Sequence, residues 1–145
     1  LATFRERYNG YHRAMKEAGL AETLASSDHP CNSFEYGYEC TEELLLQNPQ
    51  LDAIIAAVDI QGMAALRALK DEGISVPDQV RLVSLTGHSI GDILETTMTS
   101  LEMPAREMGE KATQMIIQEI EADSGSKPSV QHLVFPASLV ERESG

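Results

Sequence analysis

Residues 53–85 constrain the fold of this chain more than any other stretch. They begin with an apolar run, 53–58, which is too short for a helix and lacks alternation, as is typical of a strand buried on both faces of a parallel sheet. Asp59 ends this run, and a helix-period segment that stops at a glycine follows it. Pro77 prevents the helix from resuming, and residues 80–85 supply a second apolar run. The stretch is therefore predicted to be a βαβ unit with parallel strands.

The rest of the chain also alternates between helical and strand patterns, which predicts an α/β fold with a doubly wound parallel sheet. Helices are expected at 4–18, at 34–47, after Gln61 and after Met103–Pro104, and strands at 53–58, 80–85 and 97–101. Residues 20–33 are expected to be mostly loop, with at most a short edge strand, and 131–140 an edge or crossover piece interrupted by Pro136. Because residues 1–3 are too few to form the strand that should precede the first helix, a fragment is expected.

Composition narrows the function classes. The 145 residues are 42% hydrophobic, which is enough for one domain with a sizeable core. Eleven basic against 23 acidic residues give a net charge of −12, so this segment is not expected to bind DNA or an anionic membrane. No apolar run approaches the roughly 20 residues of a membrane span, so a soluble protein is expected. Cys31 and Cys40 lack CxxC spacing, so reduced thiols are expected, which favours a cytoplasmic location. No metal and no cofactor are expected.

Four blocks carry a family resemblance. RERYNGYHRAMKEAGL resembles the R-x-x-G-[YF]-x-x-A-[LM]-x-x-A-G-[LI] helix in the effector-binding domain of LacI/GalR-type transcriptional regulators. LDAIIAAVDIQGMAALRALKDEGISVPDQVRLVSL resembles the DAI…P-x-D-[VI] block of that family, MTSLEMPAREMGEKATQMIIQEIE its following strand and helix, and FPASLVERES its closing P-x-x-L-[VI]-x-R-x-S. The blocks keep the family order and spacing and cover nearly the whole chain.

The resemblance implies a bilobal, periplasmic-binding-protein-like type I fold with the ligand in the cleft between two lobes. Residues 1–94 and 130–145 would belong to the C-terminal lobe, 95–129 would cross to the N-terminal lobe, and the DNA-binding headpiece would be absent. The stretch LTGHSIGDILETTMTSLEMP is similar to regulators of sucrose and related disaccharide operons.

The resemblance also implies ligand contacts. Arg7 matches the arginine that reaches into the cleft, and a guanidinium offers five donors to sugar hydroxyls or a phosphate. The alternative is a solvated helix arginine, for which Arg5 is the internal control. Asp59, at a strand end, could accept hydrogen bonds from sugar hydroxyls or cap the following helix. Val58 replaces the Asn or Asp that most often touches the ligand, which implies an apolar wall.

Five further residues complete the predicted site or flank it. Thr86 stands where the family usually has a ligand-binding Asp. His88 either forms a hydrogen bond with a hydroxyl of the bound sugar or is a passive loop residue. Asn32 stands where many relatives place a stacking aromatic ring; Phe34 is the nearest ring, and it belongs to the core if it does not stack. Met103 matches a pocket-lining position, with core filling as its alternative.

A homodimer is expected from the same resemblance, because four residues align with interface positions in relatives: Met63, Ile74, Leu94 and Glu95. Ordinary core packing is the alternative for each, and Met63 is the preferred interface residue.

Three functions are compatible with this fold. The leading hypothesis is the ligand-sensing and dimerisation domain of a LacI-type repressor that binds a disaccharide or sugar phosphate and reaches operator DNA only through its headpiece. The second is a solute-binding sugar receptor of the same fold, against which the closing P-x-x-L-V-x-R-x-S motif weighs. An enzyme is not expected, since no G-x-S-x-G, Walker, GxGxxG or HExxH motif occurs. Asp59 and His88 would form a dyad only within hydrogen-bond reach.

Overall fold

The computed structural model describes residues 2–87, 89–121 and 130–145. Within these ranges the helices are α1 (Ala2–Ala18), α2 (Phe34–Gln47), α3 (Asp59–Asp71) and α4 (Ala105–Glu121), with a short 3-10 helix at Ser89–Ile93. The strands are β1 (Ala53–Ala56), β2 (Arg81–Ser84), β3 (Thr99–Glu102) and β4 (Ser138–Val140). In the described ranges no helix combines the length and the hydropathy that crossing a membrane requires.

The strands form one sheet in the order β1-β2-β3-β4. β1, β2 and β3 run parallel, so the predicted βαβ unit is confirmed. β4 runs antiparallel to β3, which makes the sheet mixed where the sequence predicts a purely parallel one. Pro136 lies just before β4, outside the ladder, as expected for a residue that cannot donate a backbone hydrogen bond. The prediction of an edge piece is thus confirmed for its last three residues only.

Local signals set most element boundaries. α2 has the predicted bounds, and the hydroxyl of its N-cap, Ser33, accepts a hydrogen bond from the Tyr36 backbone N at 3.1 Å. Gly73, with φ +70°, follows the end of α3 as predicted. β1 ends at Ala56, two residues earlier than predicted, because α3 already begins at Asp59. The loop 20–33 contains no strand.

The core lies on one face of the sheet, where α3 packs on β1 and β2 and α2 packs on α3. Its buried apolar side chains are Ile54, Ala56, Ala65, Leu69, Val80, Leu82 and Met98. A glycine brings the two helices together: a Cβ on Gly37 would lie 2.6 Å from the Gln61 Cα and 2.9 Å from the Ala64 Cβ. Any side chain at this position would therefore push α2 away from α3.

The described part of the chain leaves β1 exposed on the opposite face of the sheet. Ile54 and Ala56 of β1 are buried, but Ala53 is exposed and Ile55 is 54% exposed, so the prediction that β1 is buried on both faces is wrong for this chain. The physical reason is that α3 and α2 cover one face, whereas α1 and α4 contain no buried residue. The start of the predicted crossing segment 95–129 forms β3 within this same sheet, and α4 follows it.

The last residues of the chain, from Arg142 to Ser144, bind β2 and β3 together. Ser144 is fully buried between β2 and β3, and its hydroxyl donates to the Leu82 carbonyl at 2.7 Å while accepting from the Thr99 backbone N at 2.9 Å. Its own backbone carbonyl accepts from the Leu82 N at 2.6 Å, and its backbone N donates to the Thr97 carbonyl at 3.0 Å. Ser144 therefore supplies hydrogen-bond partners to Leu82 of β2 and to Thr97 just before β3, next to the residues at which the two strands pair directly.

Arg142 adds charged contacts to the hydrogen bonds of Ser144. Its side chain is only 12% exposed and donates to the Met98 carbonyl at 3.0 Å, the Ser100 hydroxyl at 2.9 Å and the Glu102 carboxylate at 2.6 Å. It also pairs with Asp92 of the 3-10 helix at 2.5 Å. The hydrogen bond to Glu102, with a further one to Asp92, raises the pKa of the Arg142 guanidinium above its ordinary value.

Replacing Ser144 by alanine is expected to lower the free energy of unfolding by about 1–3 kcal/mol, because the buried Thr99 N–H and Leu82 carbonyl each lose a partner. Urea denaturation monitored by circular dichroism measures the change. Ser138→Ala on the exposed side of β4 is the matched control and should change the free energy by no more than about 0.5 kcal/mol. Equal effects of the two substitutions would contradict the role given to Ser144.

Candidate ligand-binding site

Three parallel strands end at one edge of the sheet, where ligands bind in open α/β folds. Residues 57–59 follow β1, residues 85–87 follow β2 and Met103 follows β3. The Asp59 backbone N–H donates to the Thr86 hydroxyl at 3.0 Å, so the two strand ends singled out by the sequence are adjacent. The candidate site is built on this edge.

Asp59 connects the two strand ends internally. It is 7% exposed, and its Oδ1 accepts a hydrogen bond from the Ser84 hydroxyl at 2.6 Å. The Ser84 oxygen in turn accepts from the Thr86 backbone N at 3.2 Å. The hypothesis that Asp59 caps the following helix is wrong: Val58 is the N-cap, without a side-chain hydrogen bond, and Asp59 is the first helical residue. A carboxylate there is favoured by the helix dipole.

One carboxylate oxygen of Asp59 has no donor. Oδ2 is buried, and among the described residues it is the only buried side-chain N or O atom without a hydrogen-bond partner. The carboxylate therefore belongs mainly to the protein interior, and the direct contact with a ligand that the resemblance implies stays a prediction.

Arg7 reaches the end of β1 from α1. Its Nη1 donates to the Ala57 carbonyl at 2.9 Å, and its Cζ lies 5.6 Å from the centroid of the Phe4 ring. The side chain is half-buried, so the alternative of a freely solvated helix arginine is wrong. The single hydrogen bond to Ala57 engages one of five N–H groups, which leaves donors for a ligand at this edge.

Apolar surface borders these polar groups. Val58 is half-buried in an extended conformation between the end of β1 and α3, consistent with the predicted apolar wall. Met103 is 54% exposed, which excludes core filling. Gly87 lets the loop after β2 approach β3, because a Cβ there would collide with the side chains of Glu102 and Ser100.

The turn 30–33 brings the remaining candidates near the same edge. Asn32 is exposed in this turn, which is closed by a hydrogen bond of 2.8 Å from the Ser33 N to the Pro30 carbonyl. The Gln61 side chain binds the turn to α3. Phe34 is 38% exposed and its ring centroid lies 6.3 Å from that of Tyr38, so the core alternative for Phe34 is wrong.

His88 lies outside the described residues, and the Asp59–His88 dyad with it. Sequence reasoning missed two residues that hold the site together, Ser84 and Gln61. Ser84 could have been found from the sequence, because it is a polar residue inside an otherwise apolar run. No local feature of the sequence singles out Gln61. Across the described part of the chain, no three His, Cys, Asp or Glu side chains are grouped to hold a metal ion.

Cys31 is exposed in the turn 30–33, whereas Cys40 is buried on α2. Burial raises the pKa of the Cys40 thiol, which makes it a poor nucleophile. The residues aligned with a dimer interface differ in exposure. Ile74 and Leu94 pack against the core and Met63 is half-buried, whereas the Glu95 side chain is 82% exposed and pairs with Lys70.

Residues 2–145 match the family of periplasmic binding protein-like domains. Among curated proteins the chain is similar to the HTH-type transcriptional regulator CelR of Thermobifida fusca, with 34% identity over 97% of this chain and 40% of CelR. It is also similar to the ribose operon repressor of Halalkalibacterium halodurans, with 28% identity over 96% of this chain and 40% of the repressor. The chain thus spans about 40% of the length of these relatives.

Solved structures of transcriptional regulators show the same similarity. The transcriptional regulator CelR–cellobiose complex superposes with a TM-score of 0.79 and 30% identity, covering 97% of this chain and 42% of CelR. A LacI-type transcription regulator from Bifidobacterium animalis subsp. lactis DSM 10140 superposes with a TM-score of 0.83 and 25% identity, covering 98% of this chain and 50% of that regulator. The predicted periplasmic-binding-protein-like fold is confirmed, and these relatives are regulators rather than enzymes.

Asp59→Ala is expected to lower the free energy of unfolding by about 1 kcal/mol, because the buried hydrogen bond from the Ser84 hydroxyl to the Asp59 carboxylate is lost and only the Thr86 carbonyl, at 2.7 Å, remains as its acceptor. Chemical denaturation measures the loss, and Asp28→Ala in the exposed loop is the control. If Asp59 served only as a ligand contact, both variants would unfold at the wild-type denaturant concentration.

Proposed function

Since the chain belongs to the family of periplasmic binding protein-like domains, we propose that it is the sugar-sensing part of a LacI-type transcriptional repressor. The observation that carries this proposal is the convergence of Arg7, Val58 and Thr86 at the carboxyl edge of one sheet. These are three of the positions at which the resemblance implies effector contacts, and Arg7 and Thr86 are each one hydrogen bond away from the segment that follows β1.

The chemistry of this edge suits a carbohydrate. Arg7 and Thr86 offer polar groups to hydroxyls, while Val58 and Met103 provide apolar surface. The exposed ring of Phe34 is available for stacking on a sugar face. A few placed polar groups among apolar ones are the usual composition of a small-molecule site, and none of these groups is required to form a covalent bond.

We further propose that the effector is a neutral disaccharide. The CelR–cellobiose complex, at 30% identity, makes cellobiose the first candidate. The buried Asp59 carboxylate, which accepts from the Ser84 hydroxyl, disfavours a phosphate at this strand end, because like charges repel in a poorly solvated site. A neutral disaccharide is therefore preferred over a sugar phosphate.

Regulation would follow from domain closure. The sheet that contains β3 would belong to the C-terminal lobe, so the strand part of the predicted crossing segment 95–129 would stay in that lobe. The later part of 95–129 would lead to the N-terminal lobe, with the sugar between the two lobes. A sugar that binds one arrangement of the lobes more tightly shifts the population toward it, and a DNA-binding headpiece would transmit the shift to operator affinity. The net charge of −12 supports DNA contact through the headpiece alone.

A homodimer would present two such headpieces to the operator. Of the four aligned interface residues, Ile74 and Leu94 already pack against the core. Met63 on α3 and Glu95 after the 3-10 helix are the more accessible pair, so we propose that they contact the second protomer. The Lys70–Glu95 ion pair is exposed and could rearrange at low cost.

Arg7→Ala in the full-length protein is expected to abolish the stabilisation by cellobiose, which at one hundred times Kd amounts to about 2.7 kcal/mol for a ligand that binds only the native state. Thermal unfolding with and without cellobiose, sucrose, maltose and trehalose measures it. Arg5→Ala, on the exposed side of α1, should keep the wild-type response. Identical sugar responses of the two variants would refute the assignment of Arg7.

Met63→Lys is expected to weaken the dimer by about tenfold or more, because a charge would be buried at the centre of the contact. Sedimentation velocity over a range of concentrations gives the dissociation constant. Leu46→Lys replaces an exposed apolar residue on α2 and serves as the control. A dimer affinity equal in the two variants would place the interface elsewhere.

A further inference from the structure

The peptide groups on either side of Ala57, at the end of β1, are held from two directions. The Ala57 N–H donates to the Gln61 Oε1 at 3.1 Å, and its carbonyl accepts from the Arg7 Nη1 at 2.9 Å. Arg7 thus approaches the candidate site against a backbone that Gln61 holds from within α3.

The nitrogen of the Gln61 side-chain amide contacts the turn 30–33. Gln61 Nε2 donates to the Cys31 carbonyl at 2.6 Å. Cys31 lies in the turn that carries Asn32 and leads into Phe34. Because the oxygen faces an N–H group and the nitrogen faces a carbonyl, only one orientation of the amide satisfies both hydrogen bonds. Gln61 therefore bridges the strand end and the turn with a fixed orientation.

The backbone of Gln61 has little freedom to move. Its Cα lies where a Cβ on Gly37 would be only 2.6 Å away, so α2 presses directly on α3 at this point. With the backbone held by helix packing, the length of the glutamine side chain sets the distance between the turn 30–33 and Ala57. A shorter or repelling side chain would change that distance.

We propose that Gln61 is a positioning residue that sets the width of the site between its Asn32–Phe34 wall and its Ala57–Val58 wall. This inference rests on the proposed sugar-binding function. Both polar atoms of the amide are engaged by the protein, so Gln61 acts on the sugar only through the walls it joins. A change in width alters how well sugars of different shape fit, so Gln61 contributes to the choice among disaccharides.

Gln61→Glu tests the bridge with nearly unchanged shape. The carboxylate still accepts from the Ala57 N–H but meets the Cys31 carbonyl with an oxygen in place of a donor. Gln79→Glu is the matched control: Gln79 Oε1 accepts from the Ser75 N and hydroxyl, which a carboxylate also does, and it lies before β2 at the opposite edge of the sheet. Gln61→Met removes the bridge without adding a charge.

Two measurements on the full-length protein are needed. Hydrogen–deuterium exchange without sugar reports on the turn, and calorimetric titration with cellobiose, lactose, maltose and sucrose reports on selectivity. In Gln61→Glu and Gln61→Met, the amides of residues 31–33 are expected to exchange faster. The best-bound sugar should lose about fivefold in affinity, the scale of one hydrogen bond, and the ratio of affinities among the sugars should change. Gln79→Glu should match the wild type in both measurements.

The outcomes separate the two proposals. Unchanged exchange at residues 31–33, or equal loss of affinity for every sugar together with a lower melting temperature, overturns the positioning role and leaves sugar binding intact. A wild-type protein that binds none of the sugars refutes the proposed function instead, while the exchange measurement still decides whether Gln61 holds the turn.

Discussion

The hydrogen bonds that join Asp59, Ser84 and Thr86 hold together the ends of two neighbouring strands, β1 and β2. β1 and β2 are only four residues long, so their ladder alone gives little control over the segment after each strand. The buried Asp59–Ser84 bond and the Asp59 N–H to Thr86 bond fix the start of α3 against the loop after β2. Because the Asp59–Ser84 bond is shielded from water, it is stronger than an equivalent contact on the surface. The candidate ligand contacts at both strand ends depend on this junction for their positions.

A second set of contacts closes the sheet from the far end of the chain. Ser144 is inserted between β2 and β3, and Arg142 joins β3 to the 3-10 helix through Glu102 and Asp92. The loop after β2 packs on β3 at Gly87, whose missing side chain leaves room for Glu102. The closing R-x-S motif of the resemblance is thus explained by structure: it supports the strands from which the site is built.

The proposed site offers groups that can hold a ligand by hydrogen bonds and apolar contact. Arg7 keeps most of its donors, Thr86 is held by a backbone N–H, and Asp59 is committed to the interior. Gln61 links this edge to the turn that carries Asn32. A site of this kind would select by shape and by matched hydrogen bonds, which agrees with the proposed function. Its walls belong to different elements, so ligand fit and the relative placement of those elements are coupled.

The sequence by itself determined the elements formed by contacts within a few residues, because periodicity, caps and turn residues act locally. The bounds of α2, the βαβ unit and the stop at Gly73 are all predictable in this way. The βαβ pattern also predicts that Asp59 and Thr86 follow neighbouring strands, and the structure brings these two strand ends together. Only the tertiary structure decided that β4 runs antiparallel, that Ile55 faces outward and that Asp59 is bonded internally. The bridging role of Gln61 was equally hidden, since its turn lies 30 residues away in the chain. Such pairings depend on which segments meet in space, and local patterns of hydrophobicity carry no information about that choice.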